Sequence, residues 1–125
     1  MLMEKIKLLI VDDLDHVRQG LITLLNLSED LEIIGEAVNG IEAIGMALVL
    51  SPDVILMDYE MPRLNGIEAA KVVKNHNPDI QIVMISIHDS DEIRNKAIEA
   101  GVTAFENKAT PADELMDKIR SVINN

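Results

Sequence analysis

Acidic and other polar residues directly follow several apolar runs in this sequence. Asp12 and Asp13 come after the run LLIV, and Asp58 comes after the run VILM. Ser86 follows the run IVMI, and Lys108 follows the shorter segment AFEN. Carboxylates that converge repel one another by about 4 kcal/mol for each pair, at ~4 Å and an effective dielectric constant of ~20. A site that brings these acids together therefore needs a cation to offset the repulsion.

The cation that these residues favour is Mg²⁺. A site with oxygen ligands, no cysteine and few histidines suits Mg²⁺, which keeps waters or a phosphate in its octahedral shell. Lys108 would add a second positive charge, and the hydroxyl of Ser86 could donate to a phosphoryl oxygen. A cation, a lysine and a hydroxyl around one carboxylate suit phosphoryl transfer, with Asp58 as the nucleophile.

Length and composition limit the classes of protein that this sequence can encode. A chain of 125 residues fits one domain, so we expect residues 1–125 to form a single unit. The absence of cysteine excludes disulfides, zinc–thiolate sites and thiol nucleophiles. The formal net charge of −11 argues against direct contact with nucleic acid, which needs a clustered basic face. The apolar runs are too short to span a bilayer and no signal peptide is recognisable, so we expect a cytoplasmic protein without membrane contact.

Apolar, strand-like segments alternate with segments of helical period. We predict strands at 7–11, 31–37, 54–57, 80–85 and 104–107. The helices between and after them place apolar residues at helical spacing. The predicted inward positions are Val17, Leu21, Leu24 and Leu25 in the first helix, Ile44, Ala47 and Leu48 in the second, and Leu115, Ile119, Val122 and Ile123 in the fifth. Gly101 is predicted to end the fourth helix.

This alternation predicts an α/β fold with a doubly wound, five-stranded parallel sheet and five helices covering its two faces. Ligands of such sheets bind beyond the carboxyl ends of the strands. Every predicted strand except the second delivers a polar group to that edge. We therefore expect the acids, Ser86 and Lys108 to form one site.

The residues and spacings resemble the receiver domain of bacterial response regulators, the phosphoacceptor proteins of two-component signalling. The resemblance covers nearly the whole chain and is carried by the segments LLIVDD, VILMDYEMPRLNGIEAA, VMISIHD and AIEAGVTAFENKATPADEL. Ala109 after Lys108, and Ile87 after Ser86, resemble the NarL/LuxR class, in which a receiver precedes a C-terminal helix-turn-helix. The resemblance implies a flavodoxin-like strand order of 2-1-3-4-5.

The resemblance also implies roles for individual residues. Asp58 would be the phosphoacceptor and a metal ligand, together with Asp12, Asp13 and the backbone carbonyl of Glu60.

Three further residues match the positions that respond to phosphorylation. Ser86 and Lys108 would bind the phosphoryl group, and Phe105 stands at the family's aromatic switch position. Their movement would change the face built by the fourth helix, the fifth strand and the fifth helix.

The partners implied by the resemblance are a sensor histidine kinase and, on phosphorylation, a second copy of the chain bound through the first and last helices. The expected output is control of transcription through a DNA-binding domain that is not present in this chain. A stand-alone receiver that docks on a protein partner is the alternative. We expect no enzyme activity beyond the chain's own phosphoryl transfer and dephosphorylation.

Two rival classes use part of the same pattern. A Mg²⁺-dependent phosphatase of the haloacid dehalogenase type also has an aspartate nucleophile after a parallel strand, but it needs a second aspartate where this chain has Glu60. A flavodoxin-like FMN carrier needs a phosphate-binding loop after the first strand and aromatic walls. The acidic segment DDLDH and the absence of tryptophan argue against that carrier.

Overall fold

Five strands and five helices alternate along the chain, and the computed structural model describes residues 4–123. The strands are β1 (Ile6–Val11), β2 (Leu31–Ala37), β3 (Val54–Asp58), β4 (Gln81–Ser86) and β5 (Ala104–Asn107). The helices are α1 (Asp15–Leu25), α2 (Gly40–Leu50), α3 (Gly66–His76), α4 (Asp91–Glu99) and α5 (Ala112–Ile123). Each predicted strand is present, with ends within one residue of the prediction. The two ends of the predicted domain, residues 1–3 and 124–125, lie outside the described residues. No helix within residues 4–123 is long and apolar enough to cross a membrane.

The strands pair in parallel in the order β2-β1-β3-β4-β5. This order confirms the predicted doubly wound, flavodoxin-like topology. Strand β3 is buried along its whole length because helices cover both faces of the sheet. One apolar cluster lies between the sheet and α2, α3 and α4, and a second lies between the sheet and α1 and α5. The carboxyl ends of β1, β3, β4 and β5 consequently meet at one edge.

Gly101 ends α4 as predicted and directs the chain into β5. Its φ of +96° lies in the left-handed region that glycine adopts without strain. A side chain at this position would also meet Lys74, since an added Cβ would lie 3.0 Å from the Lys74 Cγ. The turn at Gly101 therefore sets where β5 begins, and with it the position of Lys108.

Three predicted inward residues are exposed instead. The prediction for Ile123 is wrong, because this last residue of α5 is 38% exposed and the adjacent Val122 takes the buried position. The prediction for Leu24 of α1 is wrong, because its side chain is 44% exposed and Leu25 alone occupies the buried position there. The prediction for Leu48 of α2 is also wrong, with 48% exposure. Helix α2 is apolar on nearly every side, so its period does not reveal which face packs on the sheet. The structure places Ala43 and Ala47 against the sheet.

Candidate functional site

Three carboxylates converge at the carboxyl edge of the sheet. Asp12 follows β1 directly, Asp13 is the next residue, and Asp58 is the last residue of β3. Each offers a carboxylate oxygen, and these oxygens all lie within 4.8 Å of one another. Asp12 and Asp58 are 0% and 1% exposed, whereas Asp13 is partly exposed. The buried β1–β3 pair therefore holds two of the acids, and solvent reaches the cluster through Asp13.

Lys108 supplies the positive charge at this cluster. Its backbone N–H donates to the carbonyl of Ser86 at 2.9 Å, which ties the loop after β5 to the end of β4. Its Nζ donates to Asp58 Oδ2 at 3.0 Å and lies 3.1 Å from Asp12 Oδ2. The contact with Asp12 is an ion pair without hydrogen-bond geometry, and Asp12 Oδ2 has no hydrogen-bond partner among the described residues. One lysine thus faces two buried acids.

Burial dominates the electrostatics of Asp58. Loss of solvent raises the pKa of its carboxyl to about 7, repulsion from Asp12 acts in the same direction, and Lys108 opposes both. Burial would lower the pKa of Lys108, but its contacts with Asp58 and Asp12 outweigh this and raise the pKa above the ordinary value. The cluster therefore carries excess negative charge that one lysine does not neutralise.

The donor set fits a hard divalent cation. It consists of the carboxylate oxygens of three acids, two of which are buried. Oxygen ligands with few protein groups and access to solvent are what Mg²⁺ prefers. The acids that could hold such an ion are Asp12, Asp13 and Asp58. The predicted contribution of the Glu60 carbonyl stays a prediction.

The hydroxyl of Ser86 is at the predicted edge but is directed to a different acid. Ser86 ends β4 and is fully buried, and its Oγ donates to Oε2 of Glu60. Oε1 of the same carboxylate accepts the backbone N–H of Ile87 at 3.2 Å, and Nδ1 of His88 lies 2.9 Å from Oε2. Burial raises the pKa of Glu60, but the bonds from Ser86, His88 and Ile87 outweigh it, so that the pKa is lowered overall. Glu60 therefore connects the loop after β3 to the loop after β4.

Phe105 lies in β5 and is buried, with 8% exposure. The guanidinium of Arg94 in α4 lies 4.9 Å from the centre of its ring, which is a cation–π distance. Arg94 also forms an ion pair with Asp89 at 2.6 Å and donates to the carbonyl of Phe105 at 3.4 Å. The aromatic residue is thus covered by α4 in this conformation.

Sequence reasoning missed two residues that support the site. The side chain of Glu60 was not predicted to bind Ser86, and only the fold brings these two loops together. Arg18 of α1 was also missed. It is buried, and it donates to the carbonyl of Asp12 at 2.8 Å and to Glu36 at 2.7 Å. The helical period could have predicted that Arg18 is buried. It lies seven residues before the buried Leu25 and therefore on the same face of α1.

Comparison with known proteins gives consistent matches along this chain. A model of the response regulator receiver domain family matches residues 8–120. The chain is 38% identical over 120 residues to the response regulator protein VraR of Staphylococcus saprophyticus, covering 96% of this chain and 57% of that protein. The signal receiver domain of the response regulator NarL from Mycobacterium tuberculosis superposes with a TM-score of 0.94 at 28% identity, covering 98% of this chain and 99% of that one. A DNA-binding response regulator of the LuxR family from Staphylococcus aureus gives a TM-score of 0.86 at 26% identity, covering 95% of this chain and 98% of that one. The chain spans little more than half the length of the curated relatives it matches.

Proposed function

Because this chain belongs to the response regulator receiver domain family, with relatives of the NarL/LuxR class as its motifs predicted, we propose that it acts as a phosphorylation-activated switch of a two-component system. The phosphoacceptor is Asp58. The observation that carries this assignment is the position of Asp58 at the centre of the site, buried, beside two further acids and 3.0 Å from Lys108.

The reaction is transfer of a phosphoryl group from a phosphohistidine of a sensor kinase. A carboxylate oxygen of Asp58 attacks phosphorus, an oxygen–phosphorus bond forms, and the phosphorus–nitrogen bond to the imidazole breaks. The imidazole leaves and takes up a proton. Oδ2 of Asp58 is paired with Lys108, and Oδ1 accepts the backbone N–H of Glu60 at 3.1 Å, so the carboxylate is held in one orientation. Lys108 can then pair with an oxygen of the incoming group.

The acids beside Asp58 hold the metal ion in this proposal. Asp12, Asp13 and Asp58, with the backbone carbonyl of Glu60, would bind Mg²⁺. When bound, Mg²⁺ neutralises negative charge on the transferring phosphoryl group. The support is the convergence of three carboxylates, two of them buried, around the single ammonium group of Lys108, which leaves excess negative charge at the cluster.

Phosphorylation changes which group the Ser86 hydroxyl and Lys108 contact. An aspartyl phosphate adds ~1.5–2 negative charges and strong acceptor oxygens at Asp58. The hydroxyl of Ser86 must then exchange Glu60 for a phosphoryl oxygen, and the loop after β4 moves with it. This motion changes the packing of α4 on Phe105 and thereby the face formed by α4, β5 and α5. Phosphorylation shifts the population toward this second arrangement.

The output proposed here is control of transcription through a DNA-binding domain in the same polypeptide. It is supported by the lengths of the curated relatives and by the DNA-binding LuxR-family protein among the structural neighbours. A stand-alone receiver that docks on a protein partner is the alternative. In either case the chain acts in the cytoplasm and catalyses only its own phosphoryl transfer and dephosphorylation.

Phosphorylated chains pair through α1 and α5 in this proposal. An apolar groove of about 280 Å³ lies between these helices and is lined by Val17, Leu21 and Leu24 of α1 and Leu115 of α5, with Lys108 at its edge. Lys108 connects the groove to the phosphorylation site. Light scattering should give a doubled mass after treatment with a phosphoryl donor, and an unchanged monomer mass would contradict the pairing.

The first experiment is phosphorylation by acetyl phosphate with Mg²⁺, followed by intact and peptide mass measurement. We expect a labile phosphoryl group on the Asp58 peptide of the wild type and of Asp79→Asn, an exposed control far from the site. We expect none on Asp58→Asn or without Mg²⁺. Turnover of an aryl phosphate by the wild type would instead support the phosphatase class. Absence of a phosphoryl group from the treated wild type would contradict the proposed switch.

A further inference from the structure

Helix α2 presents an apolar surface to solvent. Only Glu42 of its eleven residues is charged. Ala43 and Ala47 face the sheet, so the opposite side carries Ile41, Gly45, Leu48 and Val49, which we call the α2 stripe. Its three large side chains are 55%, 48% and 82% exposed, in chain order. A surface helix normally carries polar residues on its outer face, and an apolar patch of this kind marks a contact site.

Gly45 stands at the centre of the stripe without an internal reason to be glycine. A Cβ added at Gly45 would meet nothing within 4 Å. By contrast, an added Cβ would lie 2.6 Å from the Leu64 carbonyl oxygen at Gly40, and 2.6 Å from the Asp58 carbonyl oxygen at Gly66. Glycine is also the poorest helix former after proline. Its effect here is to leave a shallow groove of about 520 Å³ over α2, lined by Glu42, Met46, Val49 and Leu50.

We propose that the α2 stripe is a self-association face on which a second copy of this chain docks with its α2 antiparallel. The groove at Gly45 and the Val49 side chain, which would fill the groove of the other copy, lie on the same helix, one turn apart. A two-fold axis between Gly45 and Val49 sets Val49 of each copy over Gly45 of the other, so one contact is made twice. Close approach of two helices at a small residue increases their packing contact.

Charge restricts the surface on which two copies can meet and selects their relative direction. The chain carries a net charge of −11, so two copies repel one another over most of their surfaces. The α2 stripe is free of charge, and the neighbouring Glu42 is engaged at the start of the helix by the backbone N–H of Val38 at 3.1 Å. A parallel pair would set the two Glu42 carboxylates side by side. The antiparallel pair separates them by ten residues, or ~15 Å along the axis.

The size of the face sets the strength of the association. A helix of eleven residues is ~16 Å long, and such a contact covers less than the ~800 Å² on each partner that is usual in stable complexes. The dimer is therefore weak and forms at high local concentration. The stripe contains no residue of the proposed phosphorylation site, so this inference does not depend on the proposed function.

Sedimentation equilibrium of the unphosphorylated protein tests the inference, from about 10 µM to about 1 mM, the range in which weak dimers form. The wild-type mass should rise above 13.8 kDa with concentration. Gly45→Gln, which fills the groove with a neutral, helix-favouring side chain, and Val49→Gln should each weaken association by about tenfold or more. The matched control is Gly20→Gln in α1, where an added Cβ also meets nothing within 4 Å.

Gly20→Gln should associate as the wild type does, and thermal melts should show that all three variants are folded. A wild type that stays monomeric throughout would overturn the proposal. So would a Gly45→Gln variant that associates like the wild type, or a Gly20→Gln variant that loses association to the same degree.

Discussion

Asp58 combines nearly complete burial with a negative charge in its reactive form. Its folded-state pKa of about 7 lies above the ordinary value of 3.8, with burial as the main cause. The stability linked to this group is therefore fully present below the unfolded pKa and is lost as the pH rises through the folded pKa. Burial disfavours the ionised form of Asp58, so a cation bound beside it would stabilise that form.

The sign of this linkage gives a prediction for the metal-free protein. With a chelator present, the melting temperature of the wild type should fall by about 4 °C or more between about pH 5 and about pH 8. A loss of ~1 kcal/mol in the free energy of unfolding lowers the melting temperature of a domain of this size by that amount. Asp58→Asn has no group titrating at this position and should show a smaller fall. Asp30, whose pKa Arg120 lowers, acts only at more acidic pH. Parallel curves for the two proteins, measured by circular dichroism, would show that Asp58 does not titrate in this range.

In the proposed switch, Glu60 would compete with the phosphoryl group for the Ser86 hydroxyl, to which it is hydrogen-bonded in this structure. Its carboxylate accepts bonds from Ser86, from the Ile87 N–H and from His88. Removal of the carboxylate in Glu60→Ala should raise the rate of phosphorylation by acetyl phosphate by about tenfold or more, because a bond to a charged acceptor contributes ~1.5–3 kcal/mol to the resting arrangement. Glu32→Ala, at an exposed acid of β2, is the control for the loss of one negative charge. Equal acceleration in both variants would assign the effect to net charge, and the bond to Ser86 would then have no role in the rate.

The elements differ in how well the sequence predicts them. Strands β1, β3 and β4 were predicted to within one residue because each is a short apolar run with polar residues at its end, and burial on both faces requires that pattern. The inward face of α2 was predicted only in part, with Ala47 correct and Leu48 wrong, since an apolar residue at nearly every position removes the periodic signal. The convergence of Asp12, Asp58 and Lys108 followed from topology, because parallel strands end at one edge. The Glu60–Ser86 bond depends on the side-chain direction in two separate loops, which no local pattern encodes.

Helix α4 is held to the rest of the fold by few buried groups. Ala97 is its buried residue, and Arg94 adds the contact with the ring of Phe105 and the ion pair with Asp89. This limited packing suits an element that changes position during switching.

Arg94→Gln should loosen α4 without unfolding the domain. We expect a loss of about 0.5–1 kcal/mol, because cation–π contacts at partly exposed sites have that size. Amide hydrogen exchange should become faster in residues 91–99 and stay unchanged in β1 and β3. The control is Lys96→Gln, which removes an exposed ion pair with Glu92 on the same helix. Faster exchange in both variants to the same extent would mean that any lost charge loosens α4.

The candidate site and the two exposed apolar surfaces lie on different parts of the molecule. The acids, Lys108 and Ser86 occupy the carboxyl edge of the sheet, the groove of α1 and α5 lies on one face, and the α2 stripe lies on the other. The two apolar surfaces belong to helices that cover opposite sides of the sheet, so a contact at one does not block the other. The remaining surface is acidic and opposes nonspecific association.

Metal binding should be visible as a change in the stability of the whole domain. Ions that bind only the folded state stabilise it by about 1.4 kcal/mol at ~10 times the dissociation constant, which corresponds to a rise in melting temperature of about 3–7 °C here. Asp12→Asn removes one buried acid and should abolish the rise with Mg²⁺. It should also raise the metal-free melting temperature, because repulsion among the acids of the cluster decreases. Asp79→Asn should keep the full response, and NaCl at equal ionic strength should reproduce little of it, since screening acts weakly on buried groups. A similar rise with NaCl, or with Mg²⁺ in Asp12→Asn, would mean that the cluster of Asp12, Asp13 and Asp58 is not the ion-binding site.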